Sequence, residues 1–155
     1  MRVGVISDTH RLLRPEAVAA LAGVEHILHA GDVGDVGILE ELARIAPVTA
    51  IRGNIDGTGR CATLAATEMV ELAGATIYML HDVHQLDLDP VAAGVSVVVS
   101  GHSHRASMER RRDVLYFNPG SAGRRRFSLP VTLGFLSLGN GLPQAEIVKL
   151  LPDLK

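Results

Sequence analysis

Residues 3–10 read VGVISDTH, an apolar run that gives way at once to polar residues. Residues 3–6 have the unbroken apolar character of a strand that is buried on both faces. Such a strand delivers the polar residues 7–10 at its carboxyl end. We therefore expect the fold to be organised around a buried strand that ends in ionisable side chains.

The same succession recurs twice further along the chain. Residues 26–30 (HILHA) are followed by a Gly-Asp pair, and residues 48–51 (VTAI) are followed by Arg-Gly-Asn. A helix that begins at Pro15 and ends at Gly23 separates the first two strands, and an amphipathic stretch that closes before Pro47 separates the next two. This β-α-β-α-β order favours parallel strands joined by right-handed crossovers.

The second half of the chain is predicted to be mostly β. Strands are expected over residues 69–72, 75–80, 95–99, 131–138 and 145–150, with two more inside residues 107–118. Two packed sheets with the helices outside accommodate both halves. Because no repeat or linker divides the chain, we predict one α/β domain that covers residues 1–155.

Composition excludes several classes of protein. The 155 residues are 47% apolar with a formal net charge of -2, which fits a globular domain and offers no general attraction for polyanions. One cysteine excludes an internal disulfide and cysteine-based zinc or iron-sulfur sites. The N-terminal apolar run is too short for a signal peptide, and Gly, Asn, Ser and Pro interrupt the longest uncharged stretch. We expect a cytoplasmic protein that binds neither membranes nor nucleic acids and whose strand edges permit a homo-oligomer.

Polar clusters follow five of the predicted strands and contain four of the seven histidines. Seven of their side chains, namely two carboxylates, one amide and four imidazoles, are too many for one tetrahedral zinc site and suit two ions that share a bridging carboxylate. Without a thiolate, the expected cofactors are two divalent ions per chain, manganese first, with zinc, iron, nickel and cobalt as alternatives. The clusters are Asp8-Thr9-His10, Gly31-Asp32, Gly53-Asn54-Ile55-Asp56, His81-Asp82 and Gly101-His102-Ser103-His104.

This ordered set of motifs resembles the calcineurin-like metallophosphoesterase superfamily over residues 1 to about 123. The short length and the Asn-Pro-Gly-Ser sequence at 118–121 are similar to its small YfcE-like phosphodiesterase branch. The resemblance implies a two-sheet α/β/β/α sandwich of the metallophosphoesterase type. It also implies a dinuclear-metal phosphoesterase that hydrolyses phosphodiesters, with monoesters as a further class, by attack of a metal-bridging hydroxide.

The resemblance further implies a role for each residue of the motifs. Asp8, His10 and His104 would hold one ion. Asn54, His81 and His102 would hold the other, and Asp32 would bridge the two. Asp32 and Asn54 are accordingly expected to belong to the catalytic machinery as well as to the metal site.

One departure from the family pattern concerns the proton donor for the leaving group. Many members have a histidine directly after the Asn, where this chain has Ile55. Asp56, His84 or a bound water would have to take that role, and a good leaving group needs little help. Another departure is Asp82, where the small branch usually has glycine. Its side chain is expected either to orient an imidazole or to cap a loop.

Other charged residues near the motifs have less specific interpretations. Arg11 and Arg124 are candidate ligands for a substrate phosphate, because a guanidinium matches phosphate geometry. A solvated loop arginine is the alternative for each. On the second predicted strand, His29 is expected to be a buried, hydrogen-bonded core residue, and His26 is expected to lie at the surface.

A rival interpretation makes the protein a non-catalytic interaction module. The same fold is found in a retromer coat subunit, where the resemblance suggests an enzyme that lost its ligands and became a binding surface. The four histidines of the motifs are all present here, and a disused metal site is expected to lose such residues. The sequence therefore favours an enzyme acting on a small phosphoester.

Overall fold

Two five-stranded sheets make up the core of the computed structural model, which describes residues 1–152. The predicted domain of residues 1–155 thus has its last three residues outside the described part. The strands are β1 (Arg2–Ile6), β2 (His26–His29), β3 (Val48–Ala50), β4 (Thr67–Leu72), β5 (Ala75–Leu80), β6 (Val97–Val99), β7 (Ser107–Arg111), β8 (Val114–Asn118), β9 (Thr132–Ser137) and β10 (Gln144–Lys149). The helices are α1 (Pro15–Ala20) and α2 (Val36–Ala43).

Each sheet contains three neighbouring parallel strands. The first sheet has the order β10-β9-β1-β2-β3, in which β1, β2 and β3 are parallel and α1 and α2 form the crossovers. The second has the order β4-β5-β6-β8-β7, in which β5, β6 and β8 are parallel. The parallel arrangement predicted for the first three strands is confirmed, and the carboxyl ends of both parallel sets meet at one end of the sandwich.

Burial on both faces explains why β1 is apolar without interruption. Val3 and Val5 point into the core between the sheets, where they join Val97 and Phe117 of the second sheet. Ile6 points the other way, into the core beneath the helices. A strand with one solvated face would have alternated with polar residues.

The two outer faces of the sandwich are covered differently. On the first sheet, Leu21 and Leu42 pack into the outer core. Leu42 belongs to the apolar face of α2. On the second sheet, the cover consists of a 3-10 turn at Val83–Gln85 and the chain that follows it, with Val83 and Leu86 packed against the strands. The expected metallophosphoesterase-type sandwich is therefore confirmed, with a thin outer layer on one side. No helix within residues 1–152 has the length and apolar character needed to cross a membrane.

His29 is the core histidine that the sequence predicted. It is fully buried, and its Nε2 lies 3.0 Å from the Thr9 hydroxyl oxygen. Because that hydroxyl donates its hydrogen to the Val33 carbonyl, the His29 Nε2–H must be the donor in this contact. Its Nδ1 accepts from the Gly31 N–H at 3.2 Å. Both ring nitrogens are thus satisfied only in the neutral form. His26, on the same strand, is only half-buried and contacts the Thr49 hydroxyl.

Acidification is expected to destabilise the metal-free protein through His29. Burial lowers the pKa of His29 to about 4. A histidine in the unfolded chain has a pKa of ~6.5. Between the native and the unfolded pKa, the unfolded chain therefore binds more protons than the native protein. The free energy of unfolding accordingly falls as the pH falls through this range. At pH 5 the expected loss is about 2 kcal/mol relative to pH 8. Urea unfolding of wild type and His29→Gln at both pH values measures it, with His26→Gln as the control. An equal pH dependence in wild type and His29→Gln would contradict the assignment.

Candidate metal centre

Four strand ends bring carboxylates and imidazoles together between the sheets. Asp8 follows β1, Asp32 follows β2, His81 follows β5 and His104 lies beyond β6. Nε2 of His81 lies 3.2 Å from Oδ2 of Asp32, and Nε2 of His104 lies 3.5 Å from Oδ1 of Asp8. His10, just after Asp8, brings its own Nε2 to 3.3 Å from Asp32 Oδ2. Two groups have the spacing of metal ligands, namely Asp8 with His10 and His104, and Asp8 with Asp32 and His81.

The carboxylate of Asp8 is held in one orientation by its neighbours. Its Oδ2 accepts from the Ser7 hydroxyl at 2.7 Å and from the His102 N–H at 3.1 Å. Both donors approach the same oxygen, so Oδ1 is left facing the imidazoles of His81 and His104. Asp8 therefore presents one pre-oriented oxygen to the centre.

The tautomer of His81 is also determined by a contact outside the centre. Its Nδ1 lies 2.7 Å from the Ala30 carbonyl oxygen, which can only accept, so Nδ1 carries the hydrogen. In the neutral ring the lone pair of Nε2 then points at two carboxylates. This is the orientation in which metal-binding histidines are commonly held.

The pKa values of Asp32 and His81 are shifted in opposite directions when no metal ion is bound. Burial opposes ionisation of Asp32, but the contact with the His81 ring and the hydrogen bond from the Ile55 N–H hold the pKa of its carboxyl well below the usual range. Burial also opposes a charge on His81, yet its contacts with Asp32 and the Ala30 carbonyl raise the pKa of the ring. A positive charge between the two residues is therefore favoured.

Four buried side-chain nitrogen and oxygen atoms in residues 1–152 have no hydrogen-bond partner, and all belong to residues of this centre. They are Asp8 Oδ1, His10 Nε2, His81 Nε2 and His104 Nδ1. Leaving a buried polar atom unpaired costs about 1–3 kcal/mol, so such a concentration calls for a missing partner. Oxygen and imidazole donors without thiolates are a ligand set for divalent transition-metal ions. The residues present thus fit the metal ions that the sequence led us to expect.

The backbone around the centre is strained and tightly packed. Five of the seven predicted ligands have left-handed backbone conformations that non-glycine residues rarely adopt, at about 1–3 kcal/mol each. They are Asp8 (φ 56°), His10 (46°), Asp32 (55°), His102 (72°) and His104 (62°). A side chain at Gly53 would overlap the main chain and carboxylate of Asp32, and one at Gly101 would overlap the Ser7 hydroxyl. These glycines allow the strand ends to approach closely enough for the ligands to meet.

Two of the predicted ligands, Asn54 and His102, lie on the solvent side. Asn54 is exposed and borders a cleft of about 400 Å³ together with His81. His102 has a side chain that is 42% exposed, and its ring centroid lies 5.2 Å from that of His81. Beside His102 a larger cleft of about 600 Å³ opens, so this side of the centre is open to solvent.

Of the two tasks between which the sequence left a choice, Asp82 performs the capping of a turn, and its other oxygen lies near an imidazole. Its Oδ1 accepts from the His84 N–H at 3.0 Å and caps the 3-10 turn. Its Oδ2 lies 3.9 Å from Nε2 of His102. The residue therefore fixes the turn and faces an imidazole of the centre at the same time.

Of the two candidate proton donors, the geometry does not support Asp56. Its side chain is 1% exposed, and its two oxygens accept from the N–H groups of Val33 (3.1 Å), Gly34 (2.9 Å) and Gly53 (2.9 Å). All three donors use lone pairs of this carboxylate, which therefore ties the loop after β2 to the loop after β3 and has both oxygens engaged by the main chain. His84 is exposed and lines the larger cleft with His102, and its role as proton donor stays a prediction.

The candidate phosphate-binding arginines lie on two exposed loops. Arg11 directly follows His10, and its backbone N–H donates to the Val33 carbonyl at 3.0 Å. Arg124 is exposed at the start of an Arg-Arg-Arg sequence. In the same triplet, the charge of Arg126 acts on the centre: burial lowers the pKa of His104, the charge of Asp8 opposes this, and Arg126 lowers it further.

Three supporting residues were not predicted from the sequence. Ser7 orients Asp8, as described above. The Ser121 hydroxyl donates to the Asp8 carbonyl at 3.0 Å. Asn118 donates from Nδ2 to the Gly101 carbonyl at 2.9 Å and accepts at Oδ1 from the Gly120 N–H, so it fastens the His102 loop to β8. The available signal was the cluster of small polar residues at the ends of otherwise apolar strands.

Comparisons with known proteins agree on one family. Residues 1–141 match the calcineurin-like phosphoesterase superfamily domain. A probable metallophosphoesterase of Methanothermobacter thermautotrophicus is 35% identical over 161 residues, which cover 96% of this chain and 92% of that protein. A phosphodiesterase of Methanocaldococcus jannaschii is 30% identical over 156 residues, which cover 88% of this chain and 92% of that protein.

Two solved structures give the same fold. An archaeal phosphodiesterase superposes with a TM-score of 0.79 at 26% identity, covering 96% of this chain and 100% of that chain. Vps29 of Chaetomium thermophilum superposes with a TM-score of 0.77 at 18% identity, covering 96% of this chain and 95% of that chain. At that identity the second likeness concerns the fold alone.

Proposed function

Because the chain belongs to the calcineurin-like phosphoesterase superfamily, we propose that it is a hydrolase of phosphodiesters that works with two divalent metal ions. The observation that carries the proposal is a set of buried, unpaired ligand atoms at one place, with Nε2 of His10 and Nε2 of His81 lying 3.8 Å and 3.7 Å from Asp8 Oδ1. A merely structural polar cluster would pair these atoms with one another. The proposal extends to monoesters as a secondary class of substrate.

The residues of the centre divide into two sets in this proposal. Asp8, His10 and His104 hold one ion, and Asn54, His81 and His102 hold the other. Asp32 serves both, since its Oδ2 faces His10 at 3.3 Å and His81 at 3.2 Å. When bound, two divalent ions acidify a coordinated water and offset the charge of the phosphoryl oxygens. Manganese is the ion proposed first.

The chain itself contributes orientation, access and proton transfer. Ser7 and the His102 N–H orient Asp8, and the Ala30 carbonyl fixes the tautomer of His81 whose Nε2 is free to ligate. The larger cleft beside His102 receives the leaving group. His84 on its wall is the proposed proton donor for that group, since Ile55 cannot act as an acid.

Metal-dependent turnover tests this function directly. Protein freed of metal with a chelator and reloaded with Mn²⁺ is expected to hydrolyse bis-p-nitrophenyl phosphate, whereas the metal-free protein has no activity above the uncatalysed rate. His102→Ala is expected to lower kcat by about 100-fold, because it removes a ligand on the substrate side. His26→Gln, which lies outside the centre, serves as the matched control. Metal-loaded protein without turnover of any diester or monoester would refute the proposal.

The second candidate function is a non-catalytic interaction module with the same fold. The specific observation behind it is the structural likeness to Vps29. The two functions differ in their demand for metal. Elemental analysis is expected to find about two ions per chain for the enzyme, and no retained metal after dialysis for a module whose centre is not used.

A further inference from the structure

Two clefts border the metal centre. The larger, of about 600 Å³, is lined by His102, and the smaller, of about 400 Å³, is lined by Asn54 and His81. Asp82 lines both, so the turn that it caps stands between them. Each volume lies within the range of sites that hold small organic molecules. A phosphorus atom at the centre would therefore have a separate space on each side.

The outer walls of the two clefts include the two edge strands of the second sheet. Thr67, the first residue of β4, lines the smaller cleft, and Ser107, the first residue of β7, lines the larger. Thr67 pairs with Leu80, the last residue of β5. Ser107 pairs in the same way with Asn118, the last residue of β8. Both edge strands thus begin beside the carboxyl ends of the parallel strands, on opposite sides of the centre.

The lining of the larger cleft is mostly apolar. Val83 and Leu86 of the turn and Tyr116 of β8 supply apolar surface. Arg111 also lines this cleft, but its guanidinium donates to the Glu109 carboxylate at 3.1 Å and 2.9 Å. The same guanidinium lies 4.9 Å from the centre of the Tyr116 ring. Because its charge is already paired, this wall attracts an anion weakly and fits an uncharged, apolar group.

The smaller cleft has a polar lining. Arg52 is exposed there, and its Nη1 donates to the Leu64 carbonyl at 3.0 Å. Gln85 and Asp87 add an amide and a carboxylate, which supply further hydrogen-bond donors and acceptors. With Asp82 the cleft has two carboxylates against one guanidinium, so a second anionic group is disfavoured. A neutral alcohol with several hydroxyl groups fits this lining.

We propose that the two ester groups of a phosphodiester occupy the two clefts, with an apolar leaving group in the larger and a hydroxylated retained group in the smaller. Thr67 and Ser107 then limit the size of these groups from the two edges of the sheet. The inference rests on the proposed function and deepens it, because it names the substrate class as diesters that join an apolar alcohol to a polyhydroxylated one. A monoester fills only one cleft and lacks the contacts of the other.

Three diesters separate the two clefts. Methyl 4-acetylphenyl phosphate is the reference. Methyl 4-benzoylphenyl phosphate enlarges only the leaving group, at nearly equal acidity of the phenol, and glyceryl 4-acetylphenyl phosphate enlarges only the retained group. Wild type is expected to prefer each enlarged diester over the reference by roughly 5-fold to 10-fold in kcat/KM, because the added phenyl ring or hydroxyl groups gain contacts.

Tryptophan at one edge position is expected to fill one cleft. Thr67 and Ser107 are exposed, and tryptophan is common in strands, so both variants should fold. Ser107→Trp is expected to abolish the preference for the benzoyl diester and keep that for the glyceryl diester, and Thr67→Trp to do the reverse. Met69→Trp, which puts the same side chain elsewhere on exposed β4, is expected to keep both preferences.

The outcomes distinguish failure of the clefts from failure of the enzyme. The inference is overturned if the two effects are exchanged, if each variant changes both preferences equally, or if wild type has no preference. In each case hydrolysis of the reference diester by metal-loaded wild type leaves the proposed function intact. Absence of that hydrolysis refutes the proposed function.

Photolabelling locates the leaving group without turnover. In a phosphonate analogue of the benzoyl diester, a methylene group replaces the oxygen that joins phosphorus to the leaving group, so the compound is not hydrolysed. On irradiation its benzophenone inserts into nearby C–H bonds, and peptide mass spectrometry is expected to find the label within residues 83–86 or 107–117 of wild type. Label within residues 52–67, label spread over the surface, or no label overturns the inference, even where no ester is turned over.

Discussion

Asparagine in place of Asp32 is expected to lower kcat/KM for an aryl phosphodiester by roughly three orders of magnitude or more. Oδ2 of Asp32 faces His10 and His81 at once, so this carboxylate is the one group proposed to serve both ions. The substitution removes its negative charge but keeps its size, and asparagine tolerates the left-handed conformation of this position (φ 55°). Its carbonyl oxygen still accepts from the Ile55 N–H. The expected metal content falls from about two ions per chain to at most one.

The matched control for this substitution is Asp35→Asn. Asp35 caps α2 by accepting from the Gly37 N–H at 2.9 Å, and asparagine is an equally good helix cap. This control is expected to keep both metal content and turnover. If Asp32→Asn kept its metal content and its turnover, the bridging assignment would be contradicted. Circular dichroism of the variant shows whether a loss of activity comes from unfolding.

Asparagine in place of Asp56 is expected to destabilise the metal-free protein by about 3 kcal/mol. An amide NH₂ cannot accept from the main-chain donors that now share the two carboxylate oxygens, so at least one buried N–H is left unpaired and faces another donor. For a protein of this size the melting temperature would fall by about 6–12 °C. Since the substitution weakens the link between the loops after β2 and β3, metal affinity is also expected to fall by about 10-fold to 100-fold. Thermal unfolding and metal titration measure the two effects.

This experiment also distinguishes a positioning role for Asp56 from a role as proton donor. A lost proton donor would slow diesters with poor leaving groups and spare those that release p-nitrophenolate. A lost positioning residue would slow both classes equally through weaker metal binding. Normal stability together with a selective loss on poor leaving groups would restore Asp56 as the acid. Asp35→Asn again serves as the control.

Much of the fold could be predicted because the apolar pattern records burial on both faces of the parallel strands. The run at residues 3–6 and the HILHA run predicted β1 and β2, since only a strand enclosed by two cores is apolar without alternation. The core position of His29 followed from its apolar neighbours in the same way. The outer layer of the second sheet was harder to predict, because a 3-10 turn of three residues has no periodicity to detect.

Asp56 and Phe127 show where sequence reasoning ended. Its place in a motif makes Asp56 a candidate acid, yet its contacts are with three N–H groups that come from two different loops. Neither the exposure of Phe127 nor its left-handed backbone conformation can be recognised from the sequence. Both properties arise from how distant segments meet.

The sequence by itself determined which chemical groups are available and at which strand ends they stand. Residue type and alternation are local, so the carboxylates, amide and imidazoles could be assigned to the carboxyl ends of particular strands. Only the tertiary structure decided how those groups face one another. The free oxygen of Asp8, the tautomer of His81 and the unpaired nitrogens of His10 and His104 depend on contacts between residues far apart in sequence, such as the 94-residue separation between Asp8 and the His102 N–H. Hydrogen-bond direction and burial are properties of such contacts, and they make a set of donors into a candidate metal centre.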